Sequence, residues 1–286
     1  MDKKKIGAGL LAMFVSLLPL AAQQSAEKSG EEMDRISICQ DNYRALFGGE
    51  ALTGQGNDRE MMDILQKFIF GEVFTAGPLE VKTRELITCT VLTTIQTLPQ
   101  LKAHAAAALR VGVSPVELHE AVYQCAPFIG FPRTLNALSV LEQVFQENGI
   151  DLPLPPQGTV NEENRYEKGR EIQQRLYGDR MARQLSGVPG GLGDRAAEWL
   201  TGYGFGDIYT RGGLDLQTRE LLTFCVLTAL DADEALHSHV EGNLKAGNSR
   251  EELAAAVLQC LPYVGFPPAI KALKALRNAE AVPQPR

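Results

Sequence analysis

The chain contains one stretch written twice. Adding 135 to any position between Phe70 and Leu141 lands on its counterpart between Phe205 and Leu276, with no gap: Arg84 on Arg219, Glu85 on Glu220, His104 on His239, Gly112 on Gly247 and Cys125 on Cys260. A chain made of two copies of one unit is expected to hold two cores. Its 286 residues suffice for two domains of ordinary size, each burying its own apolar centre. Residues that recur at the offset are candidates for whatever the unit requires.

Residues 1–22 belong to neither copy. Lys3, Lys4 and Lys5 precede an apolar run from Ile6 to Ala22 that contains Pro19 and ends in small residues, the pattern of a secretory signal peptide. The expectation is cleavage near Ala22 and a periplasmic or secreted protein with no membrane anchor. Removing those residues takes away three lysines and Asp2, a net +2, so the formal charge of −7 becomes −9. An acidic surface without a basic run disfavours nucleic acid and anionic lipid as partners. Export would put the five cysteines where disulfides can form, and an odd number leaves at least one thiol free or paired between chains. Only Cys125 and Cys260 correspond between the copies, and both also suit a small apolar residue buried in a helix.

The periodicity predicts helices throughout and the strand signals are absent, so the fold class is all-α, a helical bundle in each copy. Two domains are predicted, over 33–147 and 165–280, joined by a proline-rich linker over 148–164 with little that could pack. The most apolar helix reads KTRELITCTVLTTI in one copy and QTRELLTFCVLTAL in the other, apolar on nearly every face and so expected at the centre of its domain. Ser114 with Glu117, and Ser249 with Glu252, spell capping boxes. Pro127 and Pro262 are expected to kink or end the helices that follow. The second copy carries about five extra residues, with Ser186–Gly191 as the apparent insertion.

Of four histidines only His104 and His239 recur, each nineteen positions after a glutamate, Glu85 or Glu220. Two antiparallel helices joined by a short loop would bring each pair together, and a carboxylate with an imidazole can relay a proton near neutrality. Arg84 and Arg219 could hold a substrate carboxylate in a two-pronged fork. Adjacent residues on a helix do not share a face, which counts against arginine and glutamate serving one pocket. An Arg-Glu pair at a helix start is commonly solvated and a histidine among alanines is often a hydrogen-bonded core residue, so both readings stay open. A metal site is not expected, because His237 and His239 point to different sides of a helix and no further ligand cluster accompanies them.

At these residues the sequence resembles the carboxymuconolactone decarboxylase family, which includes the alkylhydroperoxidase D-like proteins. YEKGREIQQRLYGDRMARQL, FGDIYTRGGLDLQTRELLT, the leucine and histidine of ALHSHVEGNLKAG, and LQCLPYVGFP follow the family's order in the second copy. The first copy matches from FGEVFTAGPLEVKTRELIT through CAPFIGFP. The resemblance implies an all-helical domain that assembles into homo-oligomers, with a trimer of two-domain chains standing in for a hexamer. It also implies one of two chemistries. The thiol-dependent branch reduces peroxides with Cys-x-x-Cys between its glutamate and histidine, but those cysteine positions hold Thr97 and Gln100 here, and Ala232 and Ala235 in the second copy. The decarboxylase branch uses no cofactor and acts on a small carboxylated lactone, with a histidine matched by His104 and His239 and an arginine matched by Arg84 and Arg219. The chain departs from that branch in carrying Glu85 and Glu220 where serine is common. The expectation is therefore a cofactor-independent lyase or isomerase acting on a small carboxylated cyclic substrate, with His104, His239, Glu85 and Glu220 catalytic and Arg84 and Arg219 binding substrate. The alternatives are a thiol oxidoreductase moved to Cys125 and Cys260, with Cys89 or Cys225 as resolving partners, and a binding or assembly module without turnover.

Overall fold

A computed structural model describes residues 35–279. The expected signal peptide, the polar segment after it, the outermost edges of the two predicted domains and the C-terminal tail lie outside these residues. Among the described residues every regular element is helical.

The first copy runs through α1 (35–47), α2 (Arg59–Gly71), a 3-10 turn (Val73–Thr75), α3 (Val81–Ile95), α4 (Leu98–Arg110), α5 (Pro115–Ile129) and α6 (Phe131–Glu147). The second runs through α7 (Arg165–Tyr177), α8 (Arg180–Leu185) and α9 (Leu192–Trp199), which continues as a π-helix over Leu200–Tyr209. It ends with α10 (Leu216–Ala229), α11 (Asp233–Ala246), α12 (Arg250–Val264) and α13 (Phe266–Asn278). Both capping boxes form: Ser114 and Ser249 accept from the backbone of Glu117 and Glu252, whose carboxylates accept in return. Pro127 and Pro262 sit inside the last turns of α5 and α12, which stop at Gly130 and Gly265. Each of these glycines has φ near +79°, a value that a residue with a Cβ rarely adopts.

The expectation of two separate cores does not hold. α3 packs against α10, α5 against α10 and α12 against α3. One continuous apolar cluster holds Ile87, Leu118 and Leu141 together with their counterparts Leu222, Leu253 and Leu276. The reason lies in α3 and α10 themselves. A helix apolar on all sides cannot be covered by its own copy alone, and each completes its burial against the other. Each fully buried Leu or Ile contributes about 1.5–3 kcal/mol relative to exposure, so the two copies stabilise one another.

The segment predicted as a linker is a strap. Ile150 and Leu154 pack against the shared core. The carbonyl of Gln157 accepts from the Gly212 amide at 2.9 Å and the Thr159 hydroxyl donates to the Thr210 carbonyl at 2.7 Å. These bonds fix the connection against the turn that leads into α10.

Candidate functional site

The predicted carboxylate–imidazole pairs are brought together in both copies, and the turn between the helices explains why. α3 ends at Gln96 and α10 is followed by Asp231, counterparts that both adopt the left-handed backbone conformation, with φ of 60° and 55°. The chain thereby reverses within a few residues, and the next helix packs back along the first. In the first copy His104 Nδ1 meets Glu85 Oε2 at 2.9 Å, with Glu85 fully buried and His104 only 7% exposed. In the second copy His239 Nδ1 stands 3.4 Å from Glu220 Oε2.

The shells around the pairs differ. Both oxygens of Glu220 are engaged by phenols: Tyr209 donates to Oε1 at 2.7 Å and Tyr177 donates to Oε2. The Tyr177 oxygen also lies 2.8 Å from His239 Nδ1. A phenol has one proton, and here it goes to the carboxylate, so the contact to the ring is donated by Nδ1–H. The neutral imidazole then carries its free lone pair on Nε2. Burial, followed by the charge of Glu220, holds both phenols well above their ordinary pKa, which keeps them protonated donors.

In the first copy phenylalanines replace both phenols. Phe74 stands where Tyr209 does, and Phe47, at the end of α1, takes the place of Tyr177 and meets the His104 ring edge-on at 5.6 Å. Glu85 Oε1 is left buried without a partner. The Tyr177 hydroxyl also needs Gly242, because a Cβ there would collide with it and with Glu220 Oε2. The counterpart of Gly242 is Ala107. Each site borrows one ring from the other copy: Tyr263 of α12 packs edge-on against His104 and Phe128 of α5 against His239. The Tyr263 hydroxyl is buried without a hydrogen-bond partner.

A cavity of about 310 Å³ opens at the second pair. His239, Tyr177, Tyr209, Phe128, Phe205 and Leu227 contribute to its walls, and Arg180 and Met181 of α8 line it as well. Among the described residues, the other described cavities are lined by neither Glu85 nor His104. His239 Nδ1 is committed inward, so Nε2 is the nitrogen left for a molecule in the cavity.

The arginines expected to bind substrate are placed elsewhere. Arg84 is 1% exposed and spends its five N–H donors on the carbonyls of Leu79, Val73, Ala76 and Gly77 and on Gln259 Oε1. Arg219, also buried, donates to Gln124, to the carbonyls of Arg211 and Gly212, and to Glu120 Oε2 at 3.0 Å. Both guanidiniums reach across to the other copy and tie it on, because each arginine adjoins its glutamate in sequence and so lies on a different helix face. Burial lowers the pKa of both arginines.

Cys225 lies within hydrogen-bond reach of Cys260, but the thiols stand away from the cavity. All five cysteines are free and buried, and Cys125 and Cys260 are wholly inaccessible. Burial pushes the Cys125 thiol up to about 12 and raises Cys89 and Cys225 well above the ordinary value, which suppresses the reactive thiolate. No cysteine lines the cavity, although Ala235, one of the two positions where the thiol branch carries cysteine, does. Among the described residues no group of three or more metal-ligating side chains converges, and no helix is long and apolar enough to cross a membrane.

Tyr177, Tyr209, Gly242 and Arg180 were not among the residues singled out from the sequence. Tyr209 and Gly242 pass unnoticed when only identities between copies are sought. Differences at the same offset, Phe74 against Tyr209 and Ala107 against Gly242, carry the signal.

Comparison with known proteins agrees with this architecture. The model of the carboxymuconolactone decarboxylase family matches twice, over residues 59–143 and 194–278. The 4-carboxymuconolactone decarboxylase of Acinetobacter baylyi is 27% identical over 108 residues, covering 38% of this chain and 81% of that protein. An uncharacterised 15.0 kDa protein from the nqo9–nqo10 intergenic region of Paracoccus denitrificans is 33% identical over 87 residues, covering 30% of this chain and 64% of that protein.

Proposed function

Because this chain belongs to the carboxymuconolactone decarboxylase family, we propose that its second half is the working site of a cofactor-independent lyase or isomerase acting on a small carboxylated cyclic substrate. The observation that carries the proposal is the cavity walled by His239, whose Nδ1 is held by Tyr177 and Glu220 so that Nε2 faces the guest. A carboxylated lactone, the substrate class in the name of the Acinetobacter relative, suits such a site. When CO2 leaves, the electron pair of the broken C–C bond spreads toward the ring carbonyl and must be quenched by a proton on carbon. The ring in its protonated form supplies that proton from Nε2 and returns to the neutral tautomer whose Nδ1–H is held by Tyr177 and Glu220. An isomerisation would use the same nitrogen first as base and then as acid.

The first half contributes Phe128 as a wall and the buried α3 as a packing partner, and its own Glu85–His104 pair lines none of the described cavities. Turnover of a lactone panel that includes 4-carboxymuconolactone tests the assignment. His239→Asn is expected to lower turnover about 10²–10⁴-fold, the range for a general acid–base residue, while His104→Asn leaves it within about twofold. A wild-type protein that converts no member of the panel ends the lyase reading. Equal losses in the two variants end the one-sided assignment.

The proposal places the protein outside the cytoplasm, supported by the signal-like pattern of residues 1–22, and as a homo-oligomer by the resemblance. N-terminal sequencing of protein from the periplasmic fraction is expected to start near Gln23, and light scattering is expected to give a trimer.

A further inference from the structure

We infer that Arg180, on the short helix that only the second copy carries, is the specificity-determining anchor for the substrate's carboxylate. The inference rests on the reading of the His239 cavity as the ligand site and replaces the role expected of Arg219. Arg180 lines the cavity beside Met181. Its guanidinium is oriented from below by α11: Nη1 donates to the Ser238 hydroxyl at 2.7 Å and Nη2 to Glu241 Oε2 at 2.6 Å. Ser238 precedes His239 in the chain and also lines the cavity, so the cation is fixed beside the imidazole. Guanidinium has five N–H donors, and these two bonds use two of them. The remainder include Nε–H, and a planar fork of this kind matches a carboxylate. The rest of the wall near it, Met181, Leu200, Phe205 and Phe128, suits the apolar body of a ring.

Two groups oppose an anion: Glu241, which already pairs with Arg180 at 2.6 Å, and Glu234. Glu234 also lines the cavity, one turn before Ser238 on α11. Its charge disfavours a carboxylate anywhere except against Arg180, so the two residues together dictate which end of the substrate points to α8. A neutral isostere of the same shape would feel neither effect strongly.

The experiment uses the full chain with 2-furoate, a five-membered ring carboxylate, and 2-furamide as its uncharged counterpart, with affinities measured by titration calorimetry at low salt. Arg180→Gln is expected to weaken furoate binding about tenfold or more, the scale of one charge-assisted hydrogen bond, with furamide changed less than about twofold. Glu234→Gln is expected to tighten furoate and leave furamide unchanged, which guards against a variant at Arg180 that merely unsettles α8. Furoate binding unaltered by Arg180→Gln, or equal losses for both probes, overturns the inference, as does a wild-type protein that binds neither. Because neither probe is turned over, the outcomes separate from those above. Charge-selective binding without lactone turnover sinks the lyase reading alone, and lactone turnover indifferent to Arg180 sinks the anchor alone.

Discussion

The two halves carry the same acid and the same imidazole on matching helices, yet among the described cavities only the second pair contributes its imidazole to a wall. In the first half Glu85 bonds His104 directly, Phe47 and Phe74 close over them, and Glu85 Oε1 is left without a partner. In the second half Tyr177 and Tyr209 occupy the corresponding places, saturate Glu220 and insert a hydroxyl between carboxylate and ring. The difference teaches that a recurring pair of ionisable residues marks the ancestry of a unit, whereas the residues around it mark its use. The same contrast repeats where the copies cross. Arg219 meets a buried Glu120 that also takes Arg211, but the positions corresponding to Glu120 and Arg211 are Ala255 and Ala76, and there Arg84 meets only neutral acceptors.

The crossing gives the largest expected effect. Glu120→Ala strands Arg219 and Arg211 without a counter-charge and should cost about 3–5 kcal/mol in urea unfolding, the range for breaking a buried ion pair from one side. Adding Arg211→Ala recreates the composition of the first crossing and should recover much of that loss. A double variant as unstable as the single one would show that the crossings are not interchangeable.

Gly242→Ala comes next. Its Cβ would displace the Tyr177 hydroxyl, leaving Glu220 short of a donor at a cost of about 1–3 kcal/mol. Turnover should fall by about tenfold or more. Combining it with Tyr177→Phe copies the Ala107 and Phe47 arrangement, so thermal stability should return while turnover does not. Recovery of turnover in that double variant would remove Tyr177 from the relay.

Alkaline stability sharpens the contrast between phenols and phenyl rings. The pKa values of Tyr177 and Tyr209 are raised in the folded protein. Below the unfolded value of about 10 both states hold the proton, and no stability is lost. Above it the unfolded phenol ionises while the folded one cannot, so each contributes a loss approaching about 1.4 kcal/mol per pH unit until its folded pKa is reached. Unfolding midpoints followed from pH 9 to 11 should fall less steeply in Tyr209→Phe than in the wild type. Identical slopes would contradict the burial of that hydroxyl.

The smallest effect is a gain. Phe74→Tyr places a hydroxyl where the second half has Tyr209, next to Thr88, the counterpart of Thr223, and within reach of the orphaned Glu85 Oε1. A new buried hydrogen bond should stabilise by about 1 kcal/mol. A loss instead would mean that the first socket is packed too tightly for one more atom.

The all-helical class, the capping boxes at Ser114 and Ser249 and the meeting of Glu85 with His104 and of Glu220 with His239 were legible in the amino-acid sequence. Each depends on residues near in sequence or on a period that a helix imposes. The merging of two cores into one was foreshadowed by helices apolar on every face, but their partner was not, because a residue's hydrophobicity says that it will be covered and never by what. The destination of Arg84 and Arg219 was hidden for a related reason. A guanidinium can serve a ligand or a row of carbonyls with equal ease, and only the path of the chain around it decides which is closer. Which imidazole faces open space was decided by packing alone, where Gly242 in place of Ala107 makes room for a hydroxyl and the helix that carries Arg180 stands over the space beside it.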